Sequence, residues 1–382
     1  MNQVYITGIG QVPVKESWET SLKELAGFAG IAAMEDAANG YPEGLFVGNM
    51  LSLSANKQGH FATQLADWLG FHHKPALNIE AACGSGAAAF RAALEAVASG
   101  ELESALVIGA EKMTDSPSSE ITSQLATAAD ADLEAGLGLS FVAINALVMQ
   151  RYIFEHHWTP TDFAAFSINA HANAVHNPYA RFRKTIDLNA YQKAAMVCDP
   201  INLLDATPIA DGAAAIVISK NPGNGPFRPL RVIGSASATD SISIQNRKDP
   251  TWLGAAEKSA RAAYSQSGIQ PKDIGVFEYH DAFSIMAALS LEACGFCPRG
   301  EGPRLANEGR IKFDADIPVA TLGGLKARGH PVGATGIYQL CELTLQLRGQ
   351  AGPTQVRRPY YGMAQNIGGS GSNITTHILE AE

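Results

Sequence analysis

Cysteine is scarce in this chain: five among 382 residues, an odd number spread widely. Such a count builds no disulfide framework and reads as reduced thiols. No apolar run approaches the roughly 18 to 20 residues that a membrane span needs. No secretory leader is read at the start, where Met1 to Gly10 leads straight into an apolar strand. Charge is thin as well. Only 17% of residues are charged and the net charge is -9, so no basic excess draws nucleic acid. That leaves room only for a local basic pocket around a phosphorylated cofactor. These absences place the chain in the cytoplasm, with neither a membrane nor a nucleic acid as its partner.

What is present is a large apolar fraction, 46%, enough to fill a sizeable core. The order of elements alternates strand and helix. Strands are expected at Gln3–Thr7, Gly44–Val47, Ala76–Ile79 and Ala105–Gly109, with Ala-rich helices at Ser21–Ala38 and Ser85–Ala98. The rhythm returns with strands at Leu230–Ile233, Gly275–Tyr279, Pro318–Leu322 and Tyr360–Asn366, and helices at Ala255–Gln266 and Gly336–Leu347. This is an α/β pattern of helices covering sheet. Pro75-Ala-Leu-Asn-Ile before Cys83 matches Pro318-Val-Ala-Thr-Leu before His330 in kind and place, which points to two duplicated halves. The expected division is 1–227 and 228–382, with sheets packed against each other and Cys83 meeting His330 at the join. Residues 114–205 break the rhythm and read as an inserted, largely helical loop domain, with helices at Val142–Phe154 and Thr161–Ala174. Thr207–Ser219 returns to strand, and Asn221–Pro229 reads as the linker.

Several segments carry chemistry. In Glu80-Ala-Ala-Cys83-Gly-Ser-Gly86 small neighbours leave the sulfur open. The helix that starts just beyond it favours a thiolate, the form a nucleophile needs. A buried small residue in a tight turn is the plain alternative. His330, between Gly329 and Pro331, sits on a stiff open turn suited to accepting a thiol proton; the plain alternative is a solvent-facing turn histidine. His280, in Glu278-Tyr-His280-Asp-Ala-Phe283, closes a strand where active groups of α/β folds gather, unless Asp281 merely satisfies it. Asn366-Ile-Gly368-Gly-Ser-Gly371 offers backbone N–H groups for an oxyanion hole.

Other features carry less. Cys294-Gly-Phe-Cys297 lacks a second pair or histidine partners, so it reads as core thiols and no metal is expected. The adjacent pairs His72-His73 and His156-His157 read as structural, while His171 and His176 are candidates to line a substrate tunnel. Gly8-x-Gly10 lacks the third glycine of a dinucleotide fingerprint.

Together, and in this order, the Cys83, His280, His330 and Asn366–Gly371 segments resemble the thiolase superfamily over nearly the whole chain. Pro208-Ile-Ala-Asp-Gly-Ala-Ala-Ala215 resembles the strand that closes that family's first half. The His280-Asp-Ala-Phe283 form is similar to the sterol-carrier-protein-type and archaeal-type thiolases. The resemblance implies a five-layered αβαβα sandwich, Cys83 as the acylated nucleophile, His330 as its activating base, and His280 beside it at the thioester oxygen. It implies backbone N–H groups of Cys83 and Gly368 as an oxyanion hole, and coenzyme A or acyl-CoA as substrate with no tightly bound cofactor. It also implies a homodimer or tetramer, and a partner subunit built from a zinc ribbon and an OB-fold. The family's second cysteine is missing: Asn366 and Ala282 stand at its two usual places, and His280 is the expected proton carrier instead. A ketoacyl synthase-like enzyme, a retro-aldol lyase of the same fold and a non-catalytic acyl-CoA-binding scaffold stay open as alternatives.

Overall fold

The computed structural model describes residues 3–223 and 225–381; Met1, Asn2 and Glu382, and Asn224 of the expected linker, lie outside the described residues. In the first part the elements are β1 (Tyr5–Gln11), α1 (Leu22–Ala37), β2 (Gly44–Gly48), α2 (Phe61–Leu69), β3 (Ala76–Ile79), α3 (Ser85–Ser99) and β4 (Ser104–Glu111). The inserted region holds α4 (Ser118–Ala126), α5 (Phe141–His156), α6 (Ala164–Ala174), α7 (Leu188–Gln192) and the small pair β5 (Met196–Cys198) and β6 (Ile201–Asn202). There follow β7 (Gly212–Ser219), β8 (Leu230–Thr239), α8 (Gly254–Ser267), β9 (Val276–Glu278), α9 (Ser284–Ala293) and α10 (Gly302–Asn307). The chain closes with α11 (Thr335–Leu347), β10 (Tyr361–Gly368) and β11 (Asn373–Ala381).

Strand pairing repeats. In the first set β1 pairs antiparallel with β7, β7 antiparallel with β4, β4 parallel with β2, and β2 parallel with β3. In the second, β8 pairs antiparallel with β11, β11 antiparallel with β10, and β10 parallel with β9. Beyond β9, Val319 makes a parallel bridge to Phe277, in the place that β3 takes in the first set. The segment expected as a strand at Pro318–Leu322 is thus only a bridge. Ala320 turns it aside in a left-handed conformation (φ +47°), and Glu278 captures the Thr321 N–H and hydroxyl. The two sheets are also not separate. Tyr5 and Ile6 of β1 pair with Arg231 and Leu230 of β8, joining them into one nine-stranded sheet.

Period-2 alternation in these strands builds the layers. On β7, Ala213, Ala215 and Val217 face α1 and α2, while Ala214, Ile216 and Ile218 face α3 and α11. On β10, Ala364 joins the same central cluster, and Met363 and Ile367 face outward to α8 and α9. Two helices therefore lie between the two sheet halves, and the order of layers is α, β, α, β, α. Being central, α11 is buried on nearly every face, as a helix in that place must be. Gly8 and Gly10 serve this packing: a Cβ on Gly10 would lie 2.2 Å from the Ala29 carbonyl oxygen of α1. None of the described helices is long and apolar enough to cross a membrane.

Replacing Gly10 with alanine forces backbone apart between β1 and α1. We expect a loss of about 1–3 kcal/mol of stability, read as an earlier midpoint in urea. An unchanged midpoint would contradict the close approach.

Candidate active site

The turn after β3 is wound on its own side chains. Glu80 accepts the Ala82 N–H, and Ser85 Oγ accepts the Ala81 N–H and donates to the Ala82 carbonyl. Ala82 is held at φ +53°, a conformation that costs an ordinary residue of order 1 kcal/mol. This strained turn sets Cys83, 9% exposed, just before the N-terminus of α3. The sulfur opens into a cavity of about 250 Å³ that also contains His280, His330 and Gly369. The two imidazole rings meet edge to face with centroids 5.0 Å apart. The join between the halves thus carries all three side chains that the sequence marks.

Each ring is oriented by a partner. His330 Nδ1 lies 2.7 Å from Thr335 Oγ1, whose hydroxyl donates to the Pro331 carbonyl. A hydroxyl has one proton, so the ring donates from Nδ1 and keeps Nε2 as a free base. His280 Nδ1 accepts from Asn366 Nδ2 at 2.9 Å, so its proton sits on Nε2. Asp281, the partner that would have made His280 merely structural, instead accepts the Leu325 N–H at 2.7 Å.

Burial decides the charges. The Cys83 thiol is pushed up to about 12, first by desolvation and then by the Glu111 carboxylate, against the pull of its own N–H and that of Gly369. His280 is pushed down to about 3 by desolvation and the Arg328 charge. His330 lies well below the ordinary imidazole value, through desolvation, His280 and Arg328. At rest the site is a thiol and two neutral imidazoles. The thiolate expected from the α3 N-terminus is overruled by desolvation. A second N–H, that of Gly369, joins that of Cys83 at the sulfur, one residue beyond Gly368, which ends β10.

Behind His330 lies a buried set of charges. Arg328 pairs with Glu342 at 2.9 Å, both almost wholly buried, and lies over the Tyr338 ring. Lys326 Nζ donates to the Asp205 carbonyl, and burial pulls its pKa down to about 8. These contacts fix the wide helical turn Gly324–Arg328 that delivers His330. Breaking one such buried pair strands a charge, so the turn is stiff.

One residue that the sequence reading passed over binds the site together. Glu111, at the end of β4 and 0% exposed, accepts N–H groups of Met50 and Gly333 on Oε2, and the Leu51 N–H and Asn49 amide on Oε1. Met50 and Leu51 follow β2, whereas Gly333 belongs to the His330 turn. The signal for it was an acid closing an otherwise apolar strand. The other histidines lie apart. His171 bonds the Lys184 carbonyl and stacks on Phe182, and neither it nor His176 lines the cavity. His156 packs on Tyr152. Cys294 is in the core and Cys297 packs against it.

Comparison with known proteins agrees with this geometry. Residues 4–221 match the family model described as thiolase, N-terminal domain, and residues 236–381 the one described as thiolase C-terminal domain-like. The acetyl-CoA acetyltransferase of Methanothermobacter thermautotrophicus is 39% identical over 383 residues, 99% of this chain and 100% of that one. The benzoylsuccinyl-CoA thiolase subunit BbsB of Thauera aromatica is 32% identical over 375 residues, 96% of this chain and 95% of that one. Among solved structures, an Ltp2-ChsH2(DUF35) aldolase has a TM-score of 0.87 at 23% identity, over 100% of this chain and 98% of that one, a likeness of fold.

Glu111→Gln turns an amide N–H toward backbone donors and leaves buried groups unpaired, at about 1–3 kcal/mol. It also removes charge near the sulfur, so alkylation of Cys83 by iodoacetamide should begin at lower pH than in the wild type. The folded chain holds the Glu111 proton more tightly than its ordinary value of 4.5, up to about 7. Stability from this group is therefore full below 4.5 and lost as pH rises toward 7. The variant should lose that part of the slope in urea midpoints taken across this window; matching slopes and alkylation profiles would refute the assignment.

Proposed function

This chain belongs to the thiolase family and is a thiolase-type acyltransferase, and on that premise we propose how its residues divide the work. Cys83 is the nucleophile. As its sulfur attacks the keto carbon of a 3-oxoacyl-CoA, its proton passes to His330 Nε2. The new oxyanion is held by the N–H groups of Cys83 and Gly368, the pair that the resemblance implies. The carbon–carbon bond then breaks, leaving the acyl group on sulfur and the enolate of a shortened acyl-CoA. His280, whose Nε2–H faces the site as a donor, stabilises the enolate oxygen. Free CoA gives its thiol proton to His330, attacks the acyl-Cys83 thioester, and the Cys83 thiolate takes the proton back. Condensation is the same path reversed.

The proton that returns to the enolate carbon is the one that His330 took from Cys83. His280 was expected in that role, but its Nδ1 is engaged by Asn366 and burial holds it neutral. A neutral ring with its proton on Nε2 is a hydrogen-bond donor, not a base. One imidazole serving both proton transfers accounts for a site with no second cysteine. The observation that carries this reading is the orientation of His330 by Thr335.

The wider setting extends the reading. CoA thioesters are the substrates, and no tightly bound cofactor takes part. The chain works in the cytoplasm, in keeping with five free cysteines. It forms at least a homodimer: β3 is an edge strand with Leu77 53% exposed, a surface open to a second copy. A small zinc-ribbon and OB-fold subunit is the further partner, as the family resemblance implies.

Cleavage of acetoacetyl-CoA by added CoA should fall to background in Cys83→Ala and by roughly 10²–10⁴-fold in His330→Gln. Cleavage of a 3-hydroxyacyl-CoA to a carbonyl compound and a shorter acyl-CoA, without CoA and retained in Cys83→Ala, would favour the retro-aldol lyase instead.

A further inference from the structure

The loop that leaves β10 carries N–H groups that the reaction needs, and it is built almost without side chains. Gly368 ends the strand, Gly369 and Gly371 stand at φ +60° and +103°, and Ser370 lies between them. Glycine permits this path, and it equally leaves the chain free to take others. The loop nevertheless runs close against the Cys83 turn. A Cβ on Gly84 would lie 3.2 Å from the Gly368 nitrogen, and the Gly369 N–H reaches the sulfur. A glycine loop placed that closely must be held from outside.

Three ties hold it. The Gly368 carbonyl accepts the N–H and the hydroxyl of Ser372, each at 3.2 Å. That carbonyl and the Gly369 N–H belong to one planar peptide, so fixing the first aims the second. The Ser372 carbonyl accepts the Asp240 N–H at 2.9 Å. The third tie is a side chain from the segment after β8. Arg247 Nη1 donates to the Ser370 carbonyl at 2.7 Å, and its Nε donates to the Ser241 carbonyl at 3.1 Å. The planar guanidinium thus locks the glycine loop to that segment with one rigid group. The segment is anchored in turn to the inserted region, where Glu134 accepts the Ile244 N–H at 2.8 Å.

Arg247 is 7% exposed, and desolvation works against its charge while Asp240 and Glu134 support it. It does not line the cavity around Cys83, so its work is done through the loop. We infer that Arg247 is a positioning residue for the reaction: by fixing the Ser370 carbonyl it holds the N–H groups of Gly368 and Gly369 where negative charge develops. The inference rests on the thiolase reading of Cys83 and adds a residue to it. A displaced N–H still lets substrate bind but stabilises the transition state less. The loss then falls on kcat and leaves KM in place.

The test follows CoA-dependent cleavage of acetoacetyl-CoA and, by rapid-quench mass spectrometry, the acetylation of Cys83 in the wild type, Arg247→Gln and Arg247→Lys. Glutamine cannot span both carbonyls, and lysine keeps the charge without the fork. Both variants should lose kcat by roughly ten- to a hundredfold, with KM changed by less than about twofold. Acetylation should slow by the same factor and still reach completion on every chain, which a partly unfolded variant would not do. Should the glutamine variant fail to fold, the lysine variant alone decides. A kcat close to that of the wild type in a folded variant would overturn the inference. So would a fall in kcat matched by an equal share of chains that never acetylate, or a rise in KM alone. A wild type that never acetylates Cys83 would instead overturn the thiolase reading, and this inference with it.

Discussion

A single carboxylate spans the seam on which this site depends. Glu111 ends a strand of the first half, yet it bonds backbone from the loop after β2 and from the turn that carries His330. Cys83 and His330 come from opposite halves of the sequence, and proton transfer between them tolerates little slack. A carboxylate accepting several N–H groups is a stiff, directional tie. It is reinforced from the other side by the Arg328–Glu342 pair, which fixes the same turn from within the central helix layer.

The second constraint is the burial of the reacting groups themselves. The same burial that stiffens the seam removes charge from the reacting groups, holding the sulfur as a thiol and both rings neutral. Attack and proton transfer must then be concerted or nearly so, since a bare thiolate has little to stabilise it before the substrate arrives. The N–H groups of Cys83 and Gly369 at the sulfur are present already, set to meet negative charge that appears there only during reaction. Both histidines are engaged at Nδ1, His330 donating to Thr335 and His280 accepting from Asn366, and that difference divides base from donor.

Much of this was legible in the residues. Cys83, His280 and His330 stand in short segments of small, turn-forming residues, and the repeated order of strands around Pro75 and Pro318 foretold that they meet. The pairing sequence of the two sheets bears out that order. Three things were not legible. The thiolate was expected from a helix N-terminus, a local feature, whereas desolvation is a property of the whole fold. Glu111 makes its key contacts with Asn49, Met50, Leu51 and Gly333, all distant in sequence, which leaves no local signature. Helices α2 and α9 were missed: α2 follows a polar turn-rich stretch, and α9 is apolar on every face, so it shows no periodicity to read.

The central claim is that sulfur 83 becomes covalently acylated with an imidazole from the other half taking its proton. Intact-protein mass spectrometry after brief mixing with acetoacetyl-CoA, without free CoA, tests it most directly. The account predicts an acetyl adduct that maps to Cys83, is discharged by added CoA, and accumulates far more slowly in His330→Gln. A wild-type protein that cleaves the substrate while never showing the adduct would contradict it.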